Sequence, residues 1–201
     1  MGASLKNLPE AVLCRNAIPV RKGSLEGLMS LLNAKIGEHA PEVVNAVIEI
    51  PRGSTNKYEV DAETGLIHLD RVLFSPLFYP FDYGYIPQTH YLDGDPLDVL
   101  VLLSHPTFPG CIIESSPIGV LRMSDEKGPD EKILCVAKKD PRYGYRDSLH
   151  QLNEHTLKEL THFFEVYKQL EEKSVEIDGW YGRDLAIQLI SQYRTDGKRT
   201  D

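Results

Sequence analysis

Asp93-Gly94-Asp95-Pro96-Leu97-Asp98 places three carboxylates within six residues, directly before the apolar run Val99-Leu-Val-Leu-Leu103. Acids this close repel one another and resist burial unless a cation or solvent compensates them. A short apolar run between turn signals reads as a buried strand, so acids at its mouth are not free to drift into water. Mg2+ answers that charge economically, because hard divalent cations are held by a few carboxylates together with waters and phosphate oxygens. Taken alone, the same stretch also reads as a polar loop in which Gly94-Asp95-Pro96 is only a turn.

A second acidic group, Asp125-Glu126-Lys127-Gly128-Pro129-Asp130-Glu131-Lys132, lies between two apolar runs. By itself it is a solvated hairpin loop. Beside the first group it gains meaning, since a multi-metal phosphate site draws carboxylates from more than one loop. Glu49 and Glu59 bracket the loop that carries Lys57, and alternation along Lys57-Tyr58-Glu59 puts the cation and the anion on one side. That is either a surface pair or a phosphate ligand beside a metal-water ligand. Arg71 follows the next strand and is equally two-sided. Tyr79, Tyr83 and Tyr85 crowd the segment after it, as aromatic packing, which is the reading for Tyr85, or as phenols that donate to phosphate.

Several elements must position these residues. Val43–Ile50 is strand-like, and Lys57–Asp61 and Leu66–Asp70 flank the hairpin signal Ala62-Glu63-Thr64-Gly65. Residues 75–92, rich in Pro, Tyr and Gly, read as an ordered loop or a set of short strands. Asp98–Leu103, Cys111–Glu114, Pro117–Met123 and Lys132–Ala137 are four further strands. Many short strands with few helices between them favour a barrel over a parallel sheet. Asn153 caps a helix with Leu157, Leu160, Phe163 or Phe164, Tyr167 and Leu170 inward, and a shorter helix, Leu185 to Tyr193, turns Leu189 and Ile190 inward. Ahead of the strands, residues 1–23 form an arm. Ser24 then caps a helix bearing Leu25, Leu28, Leu32 and Ile36, stopped by Gly37.

The expected fold is α+β: an antiparallel or mixed β-barrel flanked by C-terminal helices, with an extra N-terminal arm and helix. The expected division is 1–42 arm and helix, 43–194 main domain and 195–201 polar tail. A chain of 201 residues suffices for one domain with a real core.

The net charge of -8 disfavours non-specific binding to nucleic acid or anionic membranes. No run of 18 apolar residues implies a membrane span. Cys14, Cys111 and Cys135 have no metal-type spacing and read as reduced thiols. Without a secretory signal pattern the expected location is cytoplasmic. Arg15, Arg21 and Lys22 outnumber Glu10 near the start, which keeps an organellar transit peptide as a second reading. The seven histidines are scattered without ligand spacing and read as structural or solvated.

With these residues together, the chain resembles the soluble family I inorganic pyrophosphatases, Mg2+-dependent enzymes that hydrolyse pyrophosphate to orthophosphate. The family signature D-x-D-P-[apolar]-D-[apolar] is matched throughout by Asp93 to Val99. The resemblance extends over residues 43–194, which it implies are the catalytic domain, built as a mostly antiparallel OB-like β-barrel. It includes Glu49-Ile50-Pro51, Lys57-Tyr58-Glu59, Asp70-Arg71, Tyr79-Pro80, Tyr83-Gly84, Asp125, Asp130, Lys132 and Phe163-Phe164-Glu165-Val166-Tyr167-Lys168.

The resemblance implies Asp93, Asp98 and Asp130 as main metal ligands, with Asp125 joining Asp130 at a further metal. Glu49 and Glu59 would act through metal-bound waters. Lys57, Arg71, Tyr83, Lys132, Tyr167 and Lys168 would bind phosphate, Asp95 would be the general base, and Tyr79 would tune it by hydrogen bonding. It also implies several Mg2+ ions per site, with Mn2+ or Zn2+ as substitutes. The implied assembly is a homo-oligomer, a hexamer if bacterial-like and a dimer if eukaryotic-like.

Asp82 stands where many members have Asn, adding a negative charge beside Tyr83. An EF-hand reading of the Asp loop fails because Asp98 and Ser104 occupy the positions that need Gly and Glu. A nucleic-acid-binding barrel needs a basic, aromatic groove, which acidic loops at the mouth oppose.

Overall fold

The computed structural model describes residues 30–195. Nine strands and two helices follow in order: β1 (Val44–Ile50), β2 (Asn56–Val60), β3 (Ile67–Val72), β4 (Asp82–Tyr85), β5 (Asp98–Leu102), β6 (Ile112–Asp125), β7 (Gly128–Pro129), β8 (Lys132–Ala137), α1 (Glu154–Val166), β9 (Val175–Gly182) and α2 (Arg183–Tyr193). Five of the strands close on themselves. The order β1-β4-β5-β8-β6 is completed by β6 pairing back to β1, and only the β5–β8 pair within this ring is parallel. Closure removes the unpaired edges that an open sheet of this size would present. β9 continues the sheet outward from β6, and β2 and β3 form a separate two-stranded ribbon.

The period-2 alternation of the ring strands feeds two apolar clusters. Val99, Val101, Ile133 and Cys135 face one way, joining Ile48, Val120, Ala186 and Ile190 beneath α2. Leu100, Leu102, Leu134 and Val136 face the other, joining Leu160, Phe163 and Phe164 of α1. Both faces of β5 and β8 are therefore covered, which is why these strands are continuous apolar runs. β1 has a register shift between Ile48 and Ile50, and Ile50 crosses to the α1 cluster there. The irregularity falls at Glu49, as bulges that re-aim a side chain do.

Several expectations are corrected. Cys111–Glu114 and Pro117–Met123 are not two strands but one, β6, whose register shift between Pro117 and Gly119 absorbs the proline. β9 was not expected at all, although Val175, Ile177 and Gly179 alternate with more exposed residues as an edge strand does. Leu170 is exposed rather than inward, because α1 ends at Val166 and a separate turn follows.

The helix expected from Ser24 does not run to Gly37. Residues 24–29 lie outside those described, and Ser30 caps a single 3-10 turn, Leu31–Asn33. Ile36 is nonetheless buried, anchored by Asn45 N–H donating to its carbonyl (2.7 Å) and its own N–H donating to Gln88 (3.0 Å). The arm expected over residues 1–23 and the residues after 195 lie outside the described range. No described helix is long and apolar enough to cross a membrane.

Candidate active site

The first acidic loop is a tight turn pinned at its base. Gly94 N–H donates to the Tyr91 carbonyl (3.1 Å) and Tyr91 N–H to the Asp95 carbonyl (2.7 Å), with Gly94 at φ +95°, where a side chain is strained. Leu97, fully buried, donates its N–H to Thr89 Oγ1 (2.8 Å) and so ties the turn to the core. Asp93 and Asp95 remain exposed, and Asp95 N–H donates to Asp93 Oδ1 (3.1 Å). Partial desolvation raises the Asp95 pKa. The neighbouring carboxylates of Asp93, Asp98 and Glu59 raise it further, against a smaller opposing effect of Lys127.

Asp98 and Lys132 open β5 and β8 directly opposite one another. The Lys132 ammonium, 3% exposed, pairs with both Asp98 and Asp130. Burial alone would push this ammonium toward neutrality, but Asp98, Asp130 and Tyr167 hold its pKa above the ordinary lysine value. Tyr83 lies over it, ring centroid 5.8 Å from Nζ. Burial, then the charges of Asp98 and Asp130, keep the Tyr83 phenol protonated and thus a donor. Tyr79 packs 5.7 Å from Tyr83 and 4.9 Å from Phe163, which stacks on Tyr167 at 5.2 Å. Burial and the Tyr167 phenol raise the Tyr79 pKa, and its charged neighbours are Arg71, Lys132 and Asp98.

The second acidic loop is the β6–β7 turn. Gly128 at φ +121° allows Asp130 N–H to return to the Met123 carbonyl (2.9 Å), which brings Asp130 back beside Lys132. Asp125 receives Lys168 Nζ at 2.7 Å and the Lys127 N–H at 2.8 Å. Burial opposes these contacts but they prevail, and the Asp125 pKa is lowered.

The β2–β3 ribbon supplies the third side. Lys57 and Arg71 are register partners. Lys57 pairs with Glu59 and lies 3.4 Å from Asp70, as alternation requires. Arg71 Nη1 donates to Asp70 (2.5 Å), and its Nε donates to Glu171 (3.0 Å), a residue the sequence reading did not single out. A contact across 100 residues leaves no local spacing signal to find it by. Glu49 accepts the Val60 N–H (2.8 Å), which fastens the ribbon to the ring. Burial pushes the Glu49 carboxyl up to about 8; the Val60 bond opposes this, and the charges of Asp98 and Glu59 reinforce it.

Contact or electrostatic interaction thus links Glu49, Glu59, Asp93, Asp95, Asp98, Asp125, Asp130, Lys57, Arg71, Lys132, Lys168, Tyr79, Tyr83 and Tyr167 in one cluster. Among the described residues, no three His, Cys, Asp or Glu side chains already converge as a metal cage. The ammonium groups of Lys132 and Lys168 sit on Asp98, Asp130 and Asp125 instead. The donor chemistry fits a hard cation: every expected ligand is a carboxylate, and burial first, then neighbouring carboxylates, raises the pKa values of Asp95 and Glu49.

Asp82 does not add charge beside Tyr83. It is fully buried and points away from the site, accepting from the N–H groups of Arg52 (2.8 Å) and Thr107 (2.9 Å) and from the Thr107 hydroxyl (2.5 Å). His155 and His162 are exposed, each beside a glutamate on α1.

The family described as inorganic pyrophosphatase matches residues 46–198 of the chain. An inorganic pyrophosphatase of Methanosarcina acetivorans is 52% identical over 154 residues, covering 77% of this chain and 92% of that protein. One of Halalkalibacterium halodurans is 51% identical over 152 residues, 76% and 93% of the two chains. The crystal structure of inorganic pyrophosphatase from Thermus thermophilus superposes with a TM-score of 0.79 at 45% identity, covering 81% of this chain and 95% of that one.

Proposed function

The chain belongs to the family I inorganic pyrophosphatases and is an inorganic diphosphatase, and from that premise we propose that Asp95 is the general base for water attack on pyrophosphate. One observation carries this reading. Asp95 is exposed on a turn fixed by Gly94 and Leu97, and partial desolvation, then the carboxylates of Asp93, Asp98 and Glu59, raise its proton affinity. A base of raised pKa works closer to neutral pH than an isolated carboxylate.

The family is metal-dependent. Mg2+ would be held by Asp93, Asp98, Asp125 and Asp130, with Glu49 and Glu59 reaching it through water. When bound it neutralises phosphate charge and acidifies the attacking water. Mn2+ shares the preference for carboxylate oxygen, and Zn2+ is a borderline substitute. Lys57, Arg71, Lys132 and Lys168 balance the charge of the two phosphoryl groups, and the protonated phenols of Tyr83 and Tyr167 donate to their oxygens. The water oxygen forms a bond to one phosphorus as the bridging P–O bond breaks, and the proton passes to Asp95. Burial keeps the Tyr79 phenol protonated; among the described residues no hydrogen bond joins it to Asp95, and the two share Asp98 as a charged neighbour.

Residues 43–194 form the catalytic unit in this reading, 1–42 an accessory arm and 195–201 a tail. The proposed assembly is a cytoplasmic homo-oligomer, a hexamer or a dimer, which light scattering decides. The function is tested by phosphate release from pyrophosphate, tripolyphosphate and ATP with Mg2+. The reading predicts strong preference for pyrophosphate, and equal rates on all three would contradict it.

A further inference from the structure

Arg71 projects from the β2–β3 ribbon, whose strands, among the described residues, pair only with each other. A guanidinium on a long stem has many rotamers, and a ribbon outside the closed ring does not fix its aim. The restraint comes from elsewhere in the chain. Glu171 accepts from Arg71 Nε at 3.0 Å, and its side chain is 7% exposed although Leu170 and Glu172 on either side face solvent.

The turn after α1 is folded to point Glu171 inward. Glu171 N–H donates to the Lys168 carbonyl (2.9 Å), Glu172 N–H to the Gln169 carbonyl (3.1 Å), and Glu172 takes a left-handed conformation, φ +57°. A non-glycine residue held there is a cost the surrounding structure must offset. The second Glu171 oxygen lies 3.6 Å from Lys173, which reaches Glu126 at 3.7 Å, and Lys168 of the same turn holds Asp125. One turn therefore grips the ribbon and the second acidic loop together.

A buried carboxylate beside a phosphate-binding arginine weakens the local positive charge, so charge balance does not account for its placement. Geometry does. Glu171 takes Nε and Asp70 takes Nη1, which leaves both Nη2 donors available among the described residues. We propose that Glu171 is a positioning residue that aims Arg71 at a phosphate oxygen of the substrate. This rests on the reading of Arg71 as a phosphate ligand.

The test is a double-mutant cycle of Arg71→Ala and Glu171→Gln, reading kcat and KM for pyrophosphate, the equilibrium Kd for inorganic phosphate, and Tm. Arg71→Ala is expected to raise KM about tenfold or more, and Glu171→Gln about fivefold with kcat within about twofold; adding Glu171→Gln to Arg71→Ala changes nothing further. The phosphate Kd shifts in parallel. Gln169→Ala disturbs the same turn without touching Arg71 or Glu171 and leaves KM near wild type.

An unchanged KM and Kd in Arg71→Ala overturns the phosphate reading of Arg71 and this proposal with it. If Arg71→Ala acts but Glu171→Gln does not, the positioning role alone falls. It falls equally if Glu171→Gln has its full effect in the Arg71→Ala background, or if Gln169→Ala reproduces it.

Discussion

Asp98 and Lys132 face each other as the first residues of the parallel strands β5 and β8, and the buried Lys132 ammonium joins Asp98 to Asp130 across them. The pair ties the two acidic loops to adjacent strands of the ring. Lys132→Met leaves two carboxylates without their shared counter-charge. Removing one member of a buried ion pair costs on the order of 3 kcal/mol. The expected outcome is a lower urea midpoint in metal-free buffer and a kcat/KM reduced about 100-fold or more. Equilibrium denaturation and steady-state kinetics on the same preparation check both.

Gly84 lies between the two ring tyrosines of β4, and a Cβ there would meet the Val47 carbonyl oxygen at 1.8 Å. The collision is with backbone of β1, so no side chain can swing aside. Gly84→Ala is expected to lose more than about 2 kcal/mol of stability, in the range of overpacking and backbone clashes. It should also displace Tyr83, lowering turnover in whatever fraction remains folded. Circular dichroism melts together with activity per folded molecule measure these two effects.

Asp82 holds the Arg52 and Thr107 segments onto β4 from the side away from the site. Asp82→Ala leaves buried donors without an acceptor, at a cost of about 1–3 kcal/mol. Asp82→Asn retains shape and one acceptor and should cost less. Both variants should keep kcat/KM within about twofold of wild type, since nothing they touch faces substrate. Urea unfolding with parallel kinetics separates the two consequences.

Asp140 caps the loop after β8, accepting from the Ser104 hydroxyl (3.0 Å) and the Arg142 N–H (2.8 Å). Burial raises its pKa, but these donors together outweigh it and lower the value on balance. A depressed folded value means that the contribution to stability is complete above the unfolded carboxyl pKa of about 4 and is lost as pH falls through the folded value. Asp140→Asn should therefore be less stable than wild type at neutral pH, with the gap narrowing below about pH 4. Paired urea curves at the two pH values check the sign.

How much of this was legible beforehand differs by element. Lys132–Ala137 was read to the residue and Asp98–Leu103 to within one, because strands covered on both faces have no polar interruptions to blur their ends. β6 was read as two strands because proline breaks most strand patterns, whereas here a bulge takes it up. β9 was missed because its exposed positions carry Glu176 and Asp178, which dilute a half-buried pattern. The acids and bases of the site were visible as residue types. The Arg71–Glu171 contact was not, since it is made by a turn whose inward residue sits between exposed ones. Asp82 was misjudged because adjacency in sequence to Tyr83 is, in a strand, a change of face.

The most direct measurement is the rate of phosphate release from pyrophosphate with saturating Mg2+ for wild type and Asp95→Asn, each checked for an unchanged melting temperature. Loss of a positioned general base predicts a kcat reduced about 100-fold or more in the variant, with its dependence on acid pH abolished. Full turnover by a folded Asp95→Asn would remove Asp95 as the base, and no phosphate release by the wild type would contradict the account as a whole.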